Sequence, residues 1–152
     1  MTEPFIYLLR VRYAECDAQE VVFNAKYVEY IDVAVMEYFR AVFGDYRNLL
    51  EKGMDTQVVN VSVSWKAPAT FDDILALEFE LKKIGTTSIT YSINFSNYET
   101  MKPIAVGAIT YVMVSAKEHQ KMAIPADVRE QFERGASGIV NHAGVEIKER
   151  SV

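Results

Sequence analysis

Residues 25–43 spell a helix that is apolar on almost every side, and any fold for this chain has to cover it. Apolar side chains recur at 27, 28, 31, 34, 35, 38, 39 and 42, the spacing of one helical face. Tyr30, Val33 and Met36 widen that stripe until only Lys26, Glu29, Asp32, Glu37 and Arg40 remain polar. A helix of this kind needs neighbours on most sides. Asn24 is expected to cap its N-terminus, and Gly44 to stop it.

The flanking segments supply the cover. Before the helix, Phe5 to Tyr13 alternates, with Phe5, Tyr7, Leu9, Val11 and Tyr13 on one face and Arg10 and Arg12 on the other, which reads as a strand of period two. After it, a short helical piece, Tyr46 to Lys52, ends at Gly53, and four strands follow. Thr56 to Lys66 places Val59, Val61, Val63 and Trp65 on one face; Ile74 to Ile84 does the same with Leu75, Leu77, Phe79 and Leu81. Gly85-Thr86-Thr87 reads as a hairpin turn into Ser88 to Ser96. Ile104 to Ser115 is apolar on both faces, the mark of a central strand or of one at a subunit interface. Pro125 opens a last short helix that ends near Gly135. One long helix between a first strand and a meander is an α+β arrangement, and a five- or six-stranded antiparallel sheet curled around the helix covers its stripe most simply. The domain is expected over residues 1–134, with 135–152 as a C-terminal tail.

Composition narrows the function. A chain of 152 residues suits a single domain and can bury roughly 68–70% of its unfolded surface. With a net charge of −5, the electrostatic term that drives nucleic-acid binding is repulsive. One cysteine rules out an internal disulfide framework, and no apolar run approaches the ~20 residues of a membrane span. Met1 to Arg12 shows neither a basic start nor a small-residue cleavage site, so a cytoplasmic location is expected. There is no Gly-x-Ser-x-Gly elbow for a serine nucleophile. His119 and His142 are isolated and read as surface residues, so no metal site is expected.

Chemistry concentrates between the first strand and the long helix, in Arg12-Tyr13-Ala14-Glu15-Cys16-Asp17 and the residues that follow. Asp17 sits a few positions before a helix start, where backbone N–H groups lack intrahelical partners. A carboxylate base beside a set of oxyanion donors is what hydrolytic acyl transfer requires. Read as a string, Tyr13, Glu15, Asp17, Val22 and Tyr27 fall in register on a motif of the hotdog-fold thioesterases of the 4-hydroxybenzoyl-CoA thioesterase type, and the chain resembles that family over residues 5 to 134. Lys66-Ala67-Pro68-Ala69-Thr70-Phe71-Asp72-Asp73 is similar to the family's loop between its second and third strands. Two positions depart from it. Glu20 stands where relatives often carry Gly, and Asn24 where one branch carries His; the run Asn24-Ala25-Lys26-Tyr27 is closer to branches acting on long-chain acyl-CoA.

The resemblance implies a hotdog fold and an acyl-CoA thioesterase releasing free acid and coenzyme A, with a fatty acyl group as the expected substrate. Asp17 would be general base or nucleophile, and N–H groups around Asn24 the oxyanion hole. Val22, Phe23, Tyr27, Val59, Asn60, Val61 and Lys82 would contact substrate. It also implies a homodimer or homotetramer whose subunits pair edge strands and build the pocket between them, bringing residues near Asn60 of one chain to Asp17 of the other. No cofactor is expected beyond the coenzyme A of the substrate. The alternative is a binding module that holds acyl-CoA or an acyl carrier protein without turnover. Neighbouring residues have plainer readings: Cys16 as buried packing, Glu15 as a solvated or Arg12-paired carboxylate, and Asp72-Asp73 as turn residues.

Overall fold

The computed structural model describes residues 3–148. The long helix is α1 (Lys26–Phe43), and a six-stranded sheet curls around it. The strands are β1 (Phe5–Arg10), β2 (Met54–Trp65), β3 (Ile74–Ile84), β4 (Ser88–Asn97), β5 (Pro103–Ser115) and β6 (Gly138–Asn141), in the spatial order β2-β5-β4-β3-β1-β6. Two short helices, α2 (Arg47–Glu51) and α3 (Ala126–Arg134), complete the chain. Phe132 of α3 packs edge-on against Phe39 and Phe43, and so covers the C-terminal end of α1.

The inner part of the α1 stripe is buried, whereas Val28, Val33 and Met36 stay exposed. Tyr27, Tyr30, Ile31, Ala34, Val35, Tyr38 and Phe39 all lie inside, against inward residues of the sheet such as Leu75, Leu77, Tyr91, Ile93 and Phe95. Gly107 of β5 lets the helix come close, since a Cβ there would stand 2.8 Å from Ile31 Cδ1. The apolar character of Ile104–Ser115 is that of an inner strand, because β5 lies between β2 and β4. Among the described residues no helix is long and apolar enough to cross a membrane.

The sheet is mixed, which corrects the antiparallel expectation. β6 pairs with β1 in parallel, Phe5 with Gly138 through Leu8 with Asn141. Residues 138–141 therefore belong to the sheet, and the expected boundary at 134 cuts off one of its strands. The reason lies in β1, which is apolar on both faces. Phe5, Tyr7 and Leu9 meet α1, while Ile6 and Leu8 form a second cluster with Ile74, Ala76 and Tyr98 on the outer face. Ala143 and Val145, just past β6, cover that outer cluster. At the opposite edge β2 pairs only with β5 among the described residues, its outer side is unpaired, and Val58, Val59 and Trp65 remain about half exposed.

Candidate active site

The first strand is shorter than its alternation suggests. β1 ends at Arg10, Val11 N–H bonds to the Asp73 carbonyl at 2.8 Å, and Tyr13–Glu15 forms a 3-10 turn with Tyr13 82% exposed. A small hairpin follows. Cys16 bridges Val22 in antiparallel fashion, and Asp17 N–H donates to the Val21 carbonyl at 2.9 Å. At the tip Glu20 N–H donates to the Asp17 carbonyl at 2.9 Å, and Asp17 Oδ1 accepts Gln19 N–H at 2.8 Å, the self-bonded turn that Asp favours. Val22 N–H bonds to the Ala69 carbonyl at 2.9 Å, fastening the hairpin to the loop before β3. Glu20 has φ +66°, the left-handed conformation in which glycine is unstrained.

Asp17 lines an open groove of about 740 Å³ together with Tyr13, Cys16, Ala18, Glu20, Val21, Thr70 and Phe71. Tyr13 and Phe71 are exposed and meet edge-to-face, ring centres 6.2 Å apart. Sequence reading missed this aromatic lip; its signal is an aromatic residue in each of the two loops that border Asp17. Cys16 is half-buried and part of the groove wall, short of the full burial expected of it.

The helix start also differs from expectation. Lys26 N–H bonds to the Phe23 carbonyl at 2.9 Å, so the first turn begins before Asn24, whose side chain caps nothing. The N–H groups of Asn24 and Ala25 donate no hydrogen bond among the described residues. Asn24 and Phe23 are exposed and lie outside the groove lining.

The other expected contacts separate. Val22 and Tyr27 are core residues, Tyr27 being packed among Tyr30, Trp65 and Phe95. Buried as they are, they offer a ligand no surface in this chain. Val59, Asn60 and Val61 lie on the free edge at a bulge of β2, Val59 and Asn60 exposed and Val61 half-buried. Lys82 pairs with Glu80 at 3.1 Å. It stands eight residues along β3 from Ile74, roughly 26 Å at the rise of a strand, and so lies far from the groove that Asp17 lines. Asp72 and Asp73 are turn residues: Asp72 has φ +71° and meets Arg10 at 3.1 Å, and Asp73 Oδ2 accepts Thr70 N–H at 2.9 Å. His119 and His142 are exposed; His142 Nδ1 lies 2.9 Å from the Tyr7 hydroxyl.

Glu15 is the buried charge of this region, 5% exposed. Arg12 pairs with it through Nη2 at 2.8 Å and through its own N–H at 2.7 Å, and the Tyr30 hydroxyl donates at 2.9 Å. Burial pushes the carboxyl pKa up, but the bonds from Arg12 and Tyr30 together outweigh it and leave the value below the usual glutamate range. Burial and the Glu15 carboxylate raise the Tyr30 hydroxyl pKa, so Tyr30 stays a proton donor. A lowered folded-state pKa stabilises the fold above the ordinary value of 4.5, and that contribution is lost as pH falls through the folded value. Melting curves between pH 6 and pH 3 are expected to fall less steeply for Glu15→Gln than for the parent; equal slopes would remove Glu15 from the acid transition.

A family model for the thioesterase-like superfamily matches residues 11–132. A putative esterase of Aquifex aeolicus is 28% identical over 128 residues, covering 84% of this chain and 96% of the relative. The acyl-CoA thioester hydrolase YbgC of Escherichia coli O6:H1 is 26% identical over 133 residues, 88% of this chain and 98% of the relative. A solved 4-hydroxybenzoyl-CoA thioesterase shares the fold, with a TM-score of 0.76 at 19% identity over 85% of this chain and 98% of that one. The hairpin with its acidic residue, the helix behind it and the sheet around that helix are thus those of the thioesterase-like superfamily, to which this chain belongs.

Proposed function

We propose that this thioester hydrolase cleaves a fatty acyl-CoA to free acid and coenzyme A, Asp17 acting on water as general base or attacking directly as nucleophile. The Asn24 and Ala25 N–H groups would hold the oxyanion that develops on the thioester carbonyl. The observation that carries this reading is a groove-lining carboxylate on the first arm of a hairpin whose second arm leads directly into two N–H groups without a hydrogen-bond partner among the described residues. Each such donor is typically worth a factor on the order of 10²–10³ in rate. Water is the only co-reactant. The apolar part of the groove, Tyr13, Val21 and Phe71, suits an acyl chain, and the run Asn24-Ala25-Lys26-Tyr27 favours a fatty one.

In a single subunit the groove is open and Asn24 lies outside its lining. A second copy of this chain, paired along β2, would roof it and bring Val59 and Asn60 toward the substrate. Assays of free thiol release over acyl-CoA substrates from acetyl to palmitoyl, with acyl carrier protein thioesters alongside, test the reading. Turnover rising with chain length is expected. Tight binding of acyl-CoA without thiol release would turn the protein into a binding module.

Glu20 bears on the same groove. Its carboxylate is exposed and its backbone strained at φ +66°, so Glu20→Gly is expected to raise stability by about 1 kcal/mol. The same change is expected to move kcat/KM by less than about tenfold, because an exposed carboxylate interacts weakly through water. Thermal melts and initial rates check both. A larger loss of kcat/KM would make Glu20 part of the reacting site.

A further inference from the structure

We propose that Glu15 is a positioning residue for the reaction, fixing the Asp17 hairpin to the start of α1 through its contact with Tyr30. The inference rests on the thioesterase reading given above. Glu15 lies two residues before Asp17 and reaches three structures at once. Its Oε1 accepts the Arg12 N–H at 2.7 Å and the Tyr30 hydroxyl at 2.9 Å, while Oε2 takes the Arg12 guanidinium through Nε at 3.2 Å and Nη2 at 2.8 Å. Its main-chain carbonyl accepts Phe23 N–H at 2.9 Å, directly before the two free N–H groups of Asn24 and Ala25. The turn before the base and the segment carrying the oxyanion donors therefore meet in one residue, and Tyr30 pins that residue to the second turn of α1.

The cost of the arrangement argues that it does more than fill space. A carboxylate removed from water is expensive unless each oxygen is bonded, and a large apolar side chain would fill the same volume without that cost. What the carboxylate adds is direction. Tyr30 is itself buried on the helix face that meets the sheet, so its hydroxyl gives Glu15 a fixed point of attachment. Reacting groups need placement within a fraction of an ångström, and an error near 1 Å can cost about 10²-fold. Neither Glu15 nor Tyr30 lines the groove that holds Asp17; both act through the backbone of the hairpin.

Three variants and two readouts test this. Tyr30→Phe removes the hydroxyl and keeps the ring, and is expected to lower kcat between about tenfold and 100-fold with KM changed less than about threefold. Glu15→Ala is expected to do the same or worse. Glu15→Gln keeps an oxygen for Arg12 N–H and Tyr30, lets the exposed Arg12 side chain swing away, and is expected to restore kcat to within about fivefold of the parent. Amide hydrogen exchange in the absence of substrate gives the second readout. Tyr30→Phe is expected to speed exchange at Asp17, Val22 and Phe23, three of the bonded amides of the hairpin and the segment after it, and to leave β3 and β4 unchanged. Unchanged kcat with unchanged exchange would overturn the proposal, as would a loss confined to KM. If the parent protein releases no thiol from any acyl-CoA, the thioesterase reading fails, and the exchange pattern still decides whether Glu15 and Tyr30 hold the hairpin to α1.

Discussion

Asp17→Asn is expected to lower kcat for acyl-CoA hydrolysis by at least about 100-fold while the melting temperature stays within a few degrees of the parent. A positioned base contributes typically 10²–10⁴-fold, and an asparagine side chain can neither take a proton from water nor attack a thioester. The fold should survive because Asp17 serves the structure only through its backbone pairing with Val21 and through Oδ1, which accepts Gln19 N–H at 2.8 Å. Asparagine keeps that oxygen. The site is also half-exposed on a hairpin, away from the packed faces of α1. If the carboxylate instead attacked the thioester directly, it would expel the coenzyme A thiolate and form a mixed anhydride. Attack of ¹⁸O-labelled water on the aspartyl carbonyl of that anhydride would place ¹⁸O in Asp17 under single-turnover conditions, a label that general-base catalysis cannot produce. Either route requires the carboxylate, so a loss in kcat of less than about tenfold would exclude Asp17 from both.

How much of this was legible beforehand depends on whether the signal was local. The α1 stripe could be read because burial of a helix imposes a period near 3.6, and 27, 31, 34, 35, 38 and 39 all proved to be core. The strands β3 and β4 could be read because one face packs on α1 and the other is more polar. The sixth strand was not legible, since four residues, Gly138–Asn141, carry no usable period. Its trace lay instead in β1, where Ile6 and Leu8 made the supposed outer face apolar and therefore in need of cover. Asn24 was misjudged as a cap because propensity was read without the hairpin, which starts the helical bonding at the Phe23 carbonyl. Asp17 was singled out through the motif, whereas the lip of Tyr13 and Phe71 needed the fold to bring residues 58 positions apart together. Lys82 stands apart from Asp17 within the chain for the converse reason, because strand length alone carries it to the far end of β3. Glu15 was read as solvated or paired with Arg12; the pair is present, but the carboxylate is buried, and its burial and its bond to Tyr30 depend on the 3-10 turn that replaces the end of the strand.

Light scattering is expected to give a mass at least twice 17.3 kDa, and Val59→Lys is expected to reduce it to the monomer and lower activity by at least about tenfold. The argument begins at the free edge of the sheet. β2 is twelve residues long with a row of unpaired backbone groups along one side, and a long exposed edge with apolar side chains invites another strand. Val58, Val59 and Trp65 on this edge are about half exposed, as are Val28 and Met36 on the adjoining face of α1. Met36 and Val58 line one cleft between helix and edge, so the apolar surface is continuous from α1 to β2. Pairing of two identical edges makes a two-fold interface, in which any residue near the axis meets its own copy. Val59 lies at the bulge near the middle of β2, so a lysine there would place two positive charges close together in every dimer and expose none of the subunit core. The loss of activity follows from the groove, which one subunit leaves open beside Asp17 and which lacks Asn24 in its lining. A parent protein that runs as a 17.3 kDa monomer at assay concentration with full activity would show that the groove works without a second subunit.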